Sequence, residues 1–411
     1  MSARALRLHA SRLRAWHACV LLAGLCAGAV GGAQASDAAP AAAFTKQESA
    51  QLDRAVRDVC RKDIVLLGED SDHGSGLTLA IKVELVRRLA TRCGFRAIVF
   101  ESSLYGSLEL ERRLAAGDAD EDAVRDAAGQ LWFRADEAQP MTRFLLEQAR
   151  AGRLRIGGMD MQPVVLPGRY AQSKLADDVA AVLDVPRRDA CAEELRRHTN
   201  WQYDDASPFD DAAQQRLRGC VDAMRAAADA QPTRTTPEIA RSIVGLSQYM
   251  AMAADGGTDV RDRAMFDNLM WYRDRWPKGT RILVWCATVH AAKTLSGFTE
   301  LQHPLGGYVH ARFGDRAAAI GFSALGGHFG TLSVGATPMT LSELPQDALE
   351  VRTLADSDDG LRYVDRRTLA KAGTASARAL TYRRTYALPW AQVLDGLIVL
   401  REEKPTTRAA R

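Results

Sequence analysis

The segment Ile64-Val65-Leu66-Leu67-Gly68-Glu69-Asp70-Ser71-Asp72-His73-Gly74-Ser75-Gly76 runs from four apolar residues into a loop of three carboxylates, one imidazole and three glycines. The apolar run is typical of a buried strand in a parallel sheet. The loop therefore follows the carboxyl end of that strand, where open α/β sheets bind ligands. A histidine beside carboxylates suits general-base chemistry, because its unperturbed pKa of about 6.5 is easily moved through neutral pH. By itself, the loop is more typical of a solvated acidic turn with an incidental histidine, and the rest of the chain favours the functional interpretation.

Strand and helix patterns alternate on both sides of this loop. Strands are predicted at about residues 63–68, 96–101, 154–158, 281–287, 317–322 and 395–400, and helices at 46–61, 78–92 and 137–151. Such repetition predicts parallel β units. Residues 170–278 show helical periodicity without a strand pattern. We therefore predict an α/β fold with a mostly parallel central sheet flanked by helices, and a large helical insertion that caps the cleft.

The domain organisation follows from these patterns and from the first residues of the chain. Four arginines among the first 14 residues precede an apolar stretch, and Ala33-Gln34-Ala35 fits a signal-peptidase cleavage pattern. The apolar stretch is shorter than the roughly 20 residues that span a bilayer. We predict an exported protein, periplasmic or extracellular, without membrane attachment after cleavage. The predicted parts are a signal peptide (1–35), the N-terminal part of the α/β domain (36–170), the helical insertion (171–278) and the C-terminal part of the α/β domain (279–411).

Five cysteines follow the predicted cleavage site, and an oxidising compartment favours disulfides among them. Cys60 lies three residues before the first predicted strand, and Cys93 lies three residues before Arg96, which opens the second. If those strands are parallel neighbours, the two cysteines lie at the same end of the sheet, so we predict a disulfide between them. Cys191 and Cys220 flank a helical hairpin and predict a second. Cys286 lies in an apolar strand and is predicted to be a buried thiol, with a nucleophilic role as the less favoured alternative.

Composition excludes one class of partner. Charge is nearly balanced, with a formal net charge of +3, and no lysine- or arginine-rich run or nucleic-acid motif is present. We expect no nucleic-acid partner.

Five segments between residues 60 and 300 carry the motifs of this chain. The first contains Gly68-Glu69 and His73-Gly74, and Lys82 lies nine residues after His73. The other four are two strands that end in Glu and in Gly-x-Asp, a helix that begins with Arg-Asp, and a strand and turn that end in a second histidine: Gly94-Phe95-Arg96-Ala97-Ile98-Val99-Phe100-Glu101, Gly157-Gly158-Met159-Asp160, Arg261-Asp262-Arg263-Ala264-Met265-Phe266-Asp267-Asn268 and Arg281-Ile282-Leu283-Val284-Trp285-Cys286-Ala287-Thr288-Val289-His290. In content and order these segments resemble the erythromycin esterase family, which has a Gly-Glu-x-x-His-Gly loop, a basic residue where Lys82 lies, and an Arg-Asp-x-x-Met-x-x-Asn helix. The resemblance implies a metal-independent hydrolase with a histidine base and acidic helpers.

Two departures from the family pattern affect these expectations. The family spacing from Glu to His is three residues, whereas Glu69 and His73 are four apart, so either Glu69 or Asp70 occupies the functional position. The family often carries two histidines three residues apart, but here Ala287 stands in the first position and only His290 remains. The family's best-known substrates are macrolide lactones, whose hydrolysis would confer antibiotic resistance. The missing histidine weakens the expectation that this protein acts on them.

The predicted strand ends bring together groups suited to activating water. No Gly-x-Ser-x-Gly elbow is present, so we predict that His73 takes a proton from water as it attacks an ester or lactone. Glu69 or Asp70 orients the imidazole and stabilises its cation. Glu101 positions the water or shares that role, and Lys82 or His290 stabilises the developing oxyanion. The predicted catalytic residues are His73, Glu69, Glu101 and His290, and the predicted substrate-binding residues are Asp70, Lys82, Asp160 and Arg263.

Two other functions stay open. Two histidines with carboxylates can hold a divalent ion that activates water, but the sequence has no compact His-x-x-x-His pattern, so we predict no metal and no cofactor. The absent histidine at Ala287 also fits an exported ligand-binding protein that has lost catalysis. The expected partner is a small-molecule ester, and the oligomeric state is left open.

Overall fold

The computed structural model describes residues 44–164, 168–255, 257–299, 301–331 and 337–407. The predicted signal peptide lies outside the described residues. The strands are β1 (Ile64–Leu67), β2 (Ala97–Ser103), β3 (Arg155–Asp160), β4 (Ile282–Trp285), β5 (Ala317–Phe329), β6 (Met339–Thr340), β7 (Leu361–Asp365), β8 (Thr374–Ala377), β9 (Tyr386–Pro389) and β10 (Gly396–Glu403).

The helices surround this sheet and fill the stretch between β3 and β4. They are α1 (Lys46–Val59), α2 (Gly76–Arg92), α3 (Leu104–Ala116), α4 (Glu121–Ala128), α5 (Gln130–Phe133), α6 (Gln139–Arg150), α7 (Arg169–Ser173), α8 (Leu175–Ala180), α9 (Arg187–Thr199), α10 (Asp211–Ala230), α11 (Pro237–Asp255), α12 (Thr258–Arg275), α13 (Thr288–Ala291), α14 (Leu305–Phe313), α15 (Leu349–Leu354), α16 (Arg366–Ala372) and α17 (Trp390–Val393).

The main sheet has the strand order β3-β2-β4-β1-β5-β10-β7, and β6 pairs with the far end of β5. Strands β1 to β5 and β10 run parallel, whereas β7 is antiparallel to β10. The chain moves outward from β1 to β2 and β3, then returns to insert β4 beside β1. This reversal creates a topological switch point at the carboxyl ends of β1 and β4, where such sheets place their sites. The predicted α/β fold with a mostly parallel sheet is confirmed.

The strands of the sheet are buried on both faces, which explains their continuous apolar runs. On β1, Val65 and Leu67 pack into the same core cluster as residues of α1 and α2. Ile64 and Leu66 point to the opposite face and share a cluster with residues of α12 and α14. Burial on both sides removes the polar alternation that marks a strand with one solvated face.

Strand β5 is longer than predicted. The sequence pattern ended at residue 322, but the strand continues to Phe329 and pairs in parallel with β10 as far as Glu403. Its second half contains Gly326, Gly327 and His328, which lower the local hydropathy, so the sequence pattern did not mark it. Pairing with β10, a long-range interaction, supplies the backbone hydrogen bonds that keep it extended.

Both predicted disulfides are confirmed, but the assumption behind the first, that β1 and β2 are neighbouring strands, is wrong. Strands β1 and β2 are not neighbours, because β4 lies between them. Cys60 and Cys93 nevertheless both precede the amino edge of the sheet, with Cα atoms 5.1 Å apart. The guanidinium of Arg281, just before β4, donates to the carbonyl oxygens of both cysteines. Arg281, which immediately precedes the strand between β1 and β2, thus joins the two segments that carry the disulfide.

The second disulfide lies in the helical stretch between β3 and β4. Cys191 on α9 and Cys220 on α10 have Cα atoms 5.3 Å apart. Helices α7 to α11 pack around an apolar cluster of their own, which also receives Tyr105 from α3. Residues 168–255 and 257–275 contain no strand, in agreement with the predicted helical insertion. No described helix combines the length and apolar character needed to cross a membrane.

We predict that the double substitution C60S/C93S lowers the free energy of unfolding by about 3–4 kcal/mol, because the disulfide closes a loop and so reduces the entropy of the unfolded chain. The sequence separation of the two cysteines is 33 residues. Urea denaturation followed by circular dichroism measures the change. A loss below about 1 kcal/mol would contradict the assigned role of this disulfide.

Candidate active site

The loop after β1 has a backbone that its surroundings hold in one conformation. A Cβ atom on Gly68 would lie 2.7 Å from the Cα atom of Thr288, so glycine is needed where α13 begins. His73 has a φ of 57°, in the left-handed region that other residues seldom adopt. The next residue, Gly74, accepts a 2.9 Å hydrogen bond from Gly330 N. The loop conformation that directs the His73 ring is thus maintained by contacts on both sides.

A buried carboxylate lies behind the His73 ring. Glu69 is 1% exposed, and its Oε1 atom lies 2.7 Å from His73 Nδ1. The same oxygen accepts a hydrogen bond from Trp132 Nε1, and Oε2 forms an ion pair with Lys82. The Trp132 ring meets His73 edge-on, with centroids 5.5 Å apart and an interplanar angle of 85°. Three donors therefore fix the carboxylate that orients the imidazole.

The ammonium group of Lys82 faces the protein interior. Lys82 is fully buried on α2, and Nζ also donates a 3.3 Å hydrogen bond to the carbonyl oxygen of Cys286. It lies 4.1 Å from the ring centroid of Trp285. Burial lowers the pKa of Lys82, and the neighbouring Glu69 carboxylate opposes that effect. Lys82 thus contacts Glu69 from the protein interior and neutralises the carboxylate that holds His73.

The adjacent acid, Asp70, makes different contacts. Its Oδ1 atom accepts a 2.7 Å hydrogen bond from Tyr382 N, and Oδ2 accepts one from Asp72 N. Burial raises the pKa of Asp70 to about 6. Of the two acids that the sequence left as alternatives, Glu69 contacts the imidazole, whereas Asp70 joins the loop to the segment after β8.

A second charged cluster is built around Arg261 of α12. Its Nη2 atom lies 2.8 Å from Glu101 Oε1 and 2.7 Å from Asp160 Oδ2. Glu101 lies on β2 and Asp160 ends β3, so the guanidinium joins two neighbouring strands to the helix. The other oxygen of Glu101 accepts a 2.9 Å hydrogen bond from Ala287 N after β4. Glu101 is thereby fixed at the switch point of the sheet.

His290 belongs to this second cluster and also has a carboxylate behind it. Its Nδ1 atom lies 2.9 Å from both oxygens of Asp262, which is fully buried. Its Nε2 atom lies 2.9 Å from Arg261 Nη1 and 3.3 Å from Glu101 Oε1. Burial alone lowers the pKa of His290, but Asp262 and Glu101 outweigh it and raise that pKa to about 10.

Both histidines affect the pKa of Glu101. Burial raises its pKa, yet the charges of His290, Arg261 and His73 together hold that pKa well below its ordinary value. Glu101 is therefore a carboxylate at neutral pH. Of the two ring nitrogens of His73, Nδ1 contacts Glu69 and Nε2 contacts no described residue, and the His73 side chain is 9% exposed. The charges of both histidines act on Glu101, which thus links the two clusters electrostatically.

Six of the eight predicted residues lie in the two clusters, and the exceptions are Asp70, which accepts from Tyr382 N and Asp72 N, and Arg263. Arg263 lies outside both clusters, because its side chain is 59% exposed and pairs with Asp267 one turn along the helix. Arg261, two positions earlier, occupies the inward side of α12 instead. The family-like Arg-Asp pair contained the signal for Arg261 and Asp262, but neither was assigned a role. Trp132 had no signal, since it lies in no recognised motif.

The thiol of Cys286 is poorly suited to nucleophilic attack. It is fully buried and unpaired at the end of β4, and burial raises its pKa well above the ordinary value. The thiol form, which is the weak nucleophile, predominates at neutral pH. Within the described ranges, no group of three or more histidine, cysteine, aspartate or glutamate side chains is arranged to hold a metal ion.

Comparison with known proteins identifies a family and a shared fold. A family model described as erythromycin esterase matches residues 90–392, which begin after the His73 loop. No curated protein matches the chain in sequence. A protein from Bacillus cereus is 16% identical with a TM-score of 0.66, covering 87% of this chain and 93% of that chain. A succinoglycan biosynthesis protein is 15% identical with a TM-score of 0.65, covering 86% and 91%.

A third structure with this fold is a mutant of erythromycin esterase EreC in its open conformation. It is 17% identical to this chain, with a TM-score of 0.64 and coverage of 86% of this chain and 94% of that chain. At these identities, the three structures establish the shared fold.

We predict that W132F destabilises the protein by roughly 1.5–3 kcal/mol more than W285F does, because Trp132 donates a hydrogen bond to a buried carboxylate. Trp285 is a matched control. It is equally buried in the same aromatic cluster, and no described group accepts from its Nε1 atom. Urea denaturation followed by circular dichroism compares the two variants. Equal losses would show that the Trp132–Glu69 contact contributes nothing beyond ring packing.

Proposed function

The chain belongs to the erythromycin esterase family, and we propose that it is a hydrolase that cleaves an ester or lactone with a water molecule activated by His73. The observation that carries this proposal is the Glu69–His73 contact of 2.7 Å at the carboxyl edge of the sheet. A carboxylate at Nδ1 selects the tautomer that carries its proton there, which leaves the lone pair of Nε2 to accept a proton.

Glu69 and its neighbours favour the charged state that His73 reaches during the reaction. As Nε2 removes a proton from the attacking water, the imidazolium is stabilised by the Glu69 carboxylate. Lys82 and Trp132 hold that carboxylate in place through its two oxygens. Because the arrangement exists before substrate binds, little reorganisation is required in the transition state.

Glu101 and His290 act on the other side of the reacting carbonyl. Glu101 is ionised and rigidly held, so it positions the attacking water through a hydrogen bond. His290 carries positive charge beside it and stabilises the negative oxygen that develops on the carbonyl. Lys82 is less suited to that role than His290, because its ammonium is buried and contacts Glu69 and the Cys286 carbonyl.

The compartment in which the protein acts is proposed to be periplasmic or extracellular. The two disulfides support this assignment, because such bonds persist in oxidising environments. The amino-terminal signal pattern points to the same route of export.

The metal-dependent alternative is less favoured by the charge arrangement. The cation that bridges Glu101 and Asp160 is the guanidinium of Arg261, so a divalent ion between these carboxylates would meet a like charge. A hydrolase that uses the histidine base needs no metal for the proton transfer. Chelator sensitivity distinguishes the two mechanisms.

We predict that H73A lowers kcat/KM for ester hydrolysis by about 10²–10⁴-fold, the usual contribution of a general base. The assay uses a panel of carboxylic esters and lactones, macrolides included, each with and without EDTA. Wild-type turnover is expected to survive the chelator. H303A serves as a control, because His303 is a solvent-exposed histidine outside both clusters, and we expect it to retain activity.

Three outcomes would contradict the proposal. Turnover lost in EDTA and restored by a divalent ion indicates the metal mechanism. Undiminished turnover by folded H73A excludes His73 as the base. A folded wild-type protein that binds members of the panel without hydrolysing any of them indicates a binding protein.

A further inference from the structure

We propose that His290, held by Asp262, is the general acid that protonates the departing alcohol, separately from the His73 base. The inference rests on the proposed ester hydrolysis and adds to it a proton donor for the second half of the reaction. The observation that carries it is a second histidine–carboxylate pair, in which Asp262 contacts Nδ1 and leaves Nε2 directed at the charged cluster.

Several hydrogen bonds hold the Asp262 carboxylate and the His290 ring in one relative orientation. Both Asp262 oxygens lie 2.9 Å from His290 Nδ1, and Oδ1 also accepts a 2.7 Å hydrogen bond from Leu305 N at the start of α14. Asp262 is fully buried and His290 is 6% exposed. A buried carboxylate with these contacts fixes both the ring orientation and the proton on Nδ1.

The second ring nitrogen has one partner suited to each protonation state. When Nε2 carries a proton, it can donate towards Glu101 Oε1, 3.3 Å away. When Nε2 has lost that proton, it can accept from Arg261 Nη1, 2.9 Å away. A group that gives up a proton and regains it in each cycle needs both states stabilised.

The charged groups that face His290 favour the acid form before reaction. Asp262 and Arg261 come from α12, and Glu101 comes from β2. The two carboxylates outweigh both burial and the guanidinium, which keeps His290 an imidazolium at neutral pH. His73 contacts one carboxylate and has a free Nε2 atom, so the two histidines differ in the way that an acid–base pair requires.

The proposed sequence of proton transfers is balanced. Water adds to the carbonyl carbon while its proton passes to His73 Nε2, which forms a tetrahedral intermediate. As the bond from carbon to the alcohol oxygen breaks, that oxygen takes the proton from His290 Nε2. The products are a carboxylic acid and an alcohol, with His73 protonated and His290 neutral. Net transfer of one proton from His73 to His290, through water, restores the starting state.

Leaving-group dependence tests this role. An alcohol with a high pKa needs protonation as it departs, whereas a nitrophenolate does not. We predict that H290Q loses about 10²–10⁴-fold in kcat/KM on an alkyl ester, and at least about tenfold less on the nitrophenyl ester of the same acid, where only the stabilisation of the oxyanion is lost. The ratio of the two rates therefore changes by at least about tenfold.

Asp262 is tested as a positioning residue by the pH profile. D262N keeps an oxygen for Leu305 N but removes the charge beside His290. We expect the basic limb of the alkyl-ester profile to move down by about 1–3 pH units, since removing an adjacent opposite charge has effects of that size. D259N is the matched control. Asp259 lies one turn earlier on α12 and accepts from Gln302 N and His303 N without contacting His290, so the basic limb and the ester ratio should stay at wild-type values.

The outcomes separate this inference from the proposed function. Wild-type hydrolysis of both esters, with equal losses in H290Q, would overturn the general-acid role and leave His290 as an electrostatic stabiliser. A basic limb unchanged in folded D262N would overturn the role of Asp262. Failure of the wild type to hydrolyse either ester would instead overturn the proposed function itself.

Discussion

The buried carboxylate of Glu69 is the interaction on which the site depends. A buried charge of this kind is costly unless it is paired and hydrogen-bonded. Lys82 supplies the opposite charge, Trp132 supplies a neutral donor, and His73, whose side chain is slightly exposed, supplies the third contact. The first two come from α2 and α5, so the helices on one face of the sheet determine the position of the proposed base at its edge.

The other half of the site depends on strand order. Because β4 lies between β1 and β2, the turn after β4 brings Ala287 N to Glu101 and places His290 beside it. Arg261 then joins β2, β3 and α12 through Glu101 and Asp160. The helical insertion thereby contributes directly to the charged cluster, since α12 is its last helix.

Local patterns were sufficient for the parallel sheet, the helical insertion and most of the site. Apolar runs marked the central strands, and residues at their carboxyl ends converged as expected. Long-range pairing was not visible in the sequence: it places β4 between β1 and β2, extends β5, and forms β7, β8 and β9 in a tail without regular hydropathy. Likewise, periodicity could not decide between Arg261 and Arg263, and no pattern indicated that Trp132 would reach Glu69.

The central claim is that water, and not a protein side chain, attacks the carbonyl. Pre-steady-state hydrolysis of a nitrophenyl ester, with the acid-quenched protein analysed by intact-mass spectrometry, tests this claim directly. We expect nitrophenolate and acid to appear together without a burst, and the protein to keep its unmodified mass throughout the reaction. A nitrophenolate burst equal to the protein concentration, with the protein mass increased by one acyl group, would show a covalent acyl intermediate and contradict direct attack by water.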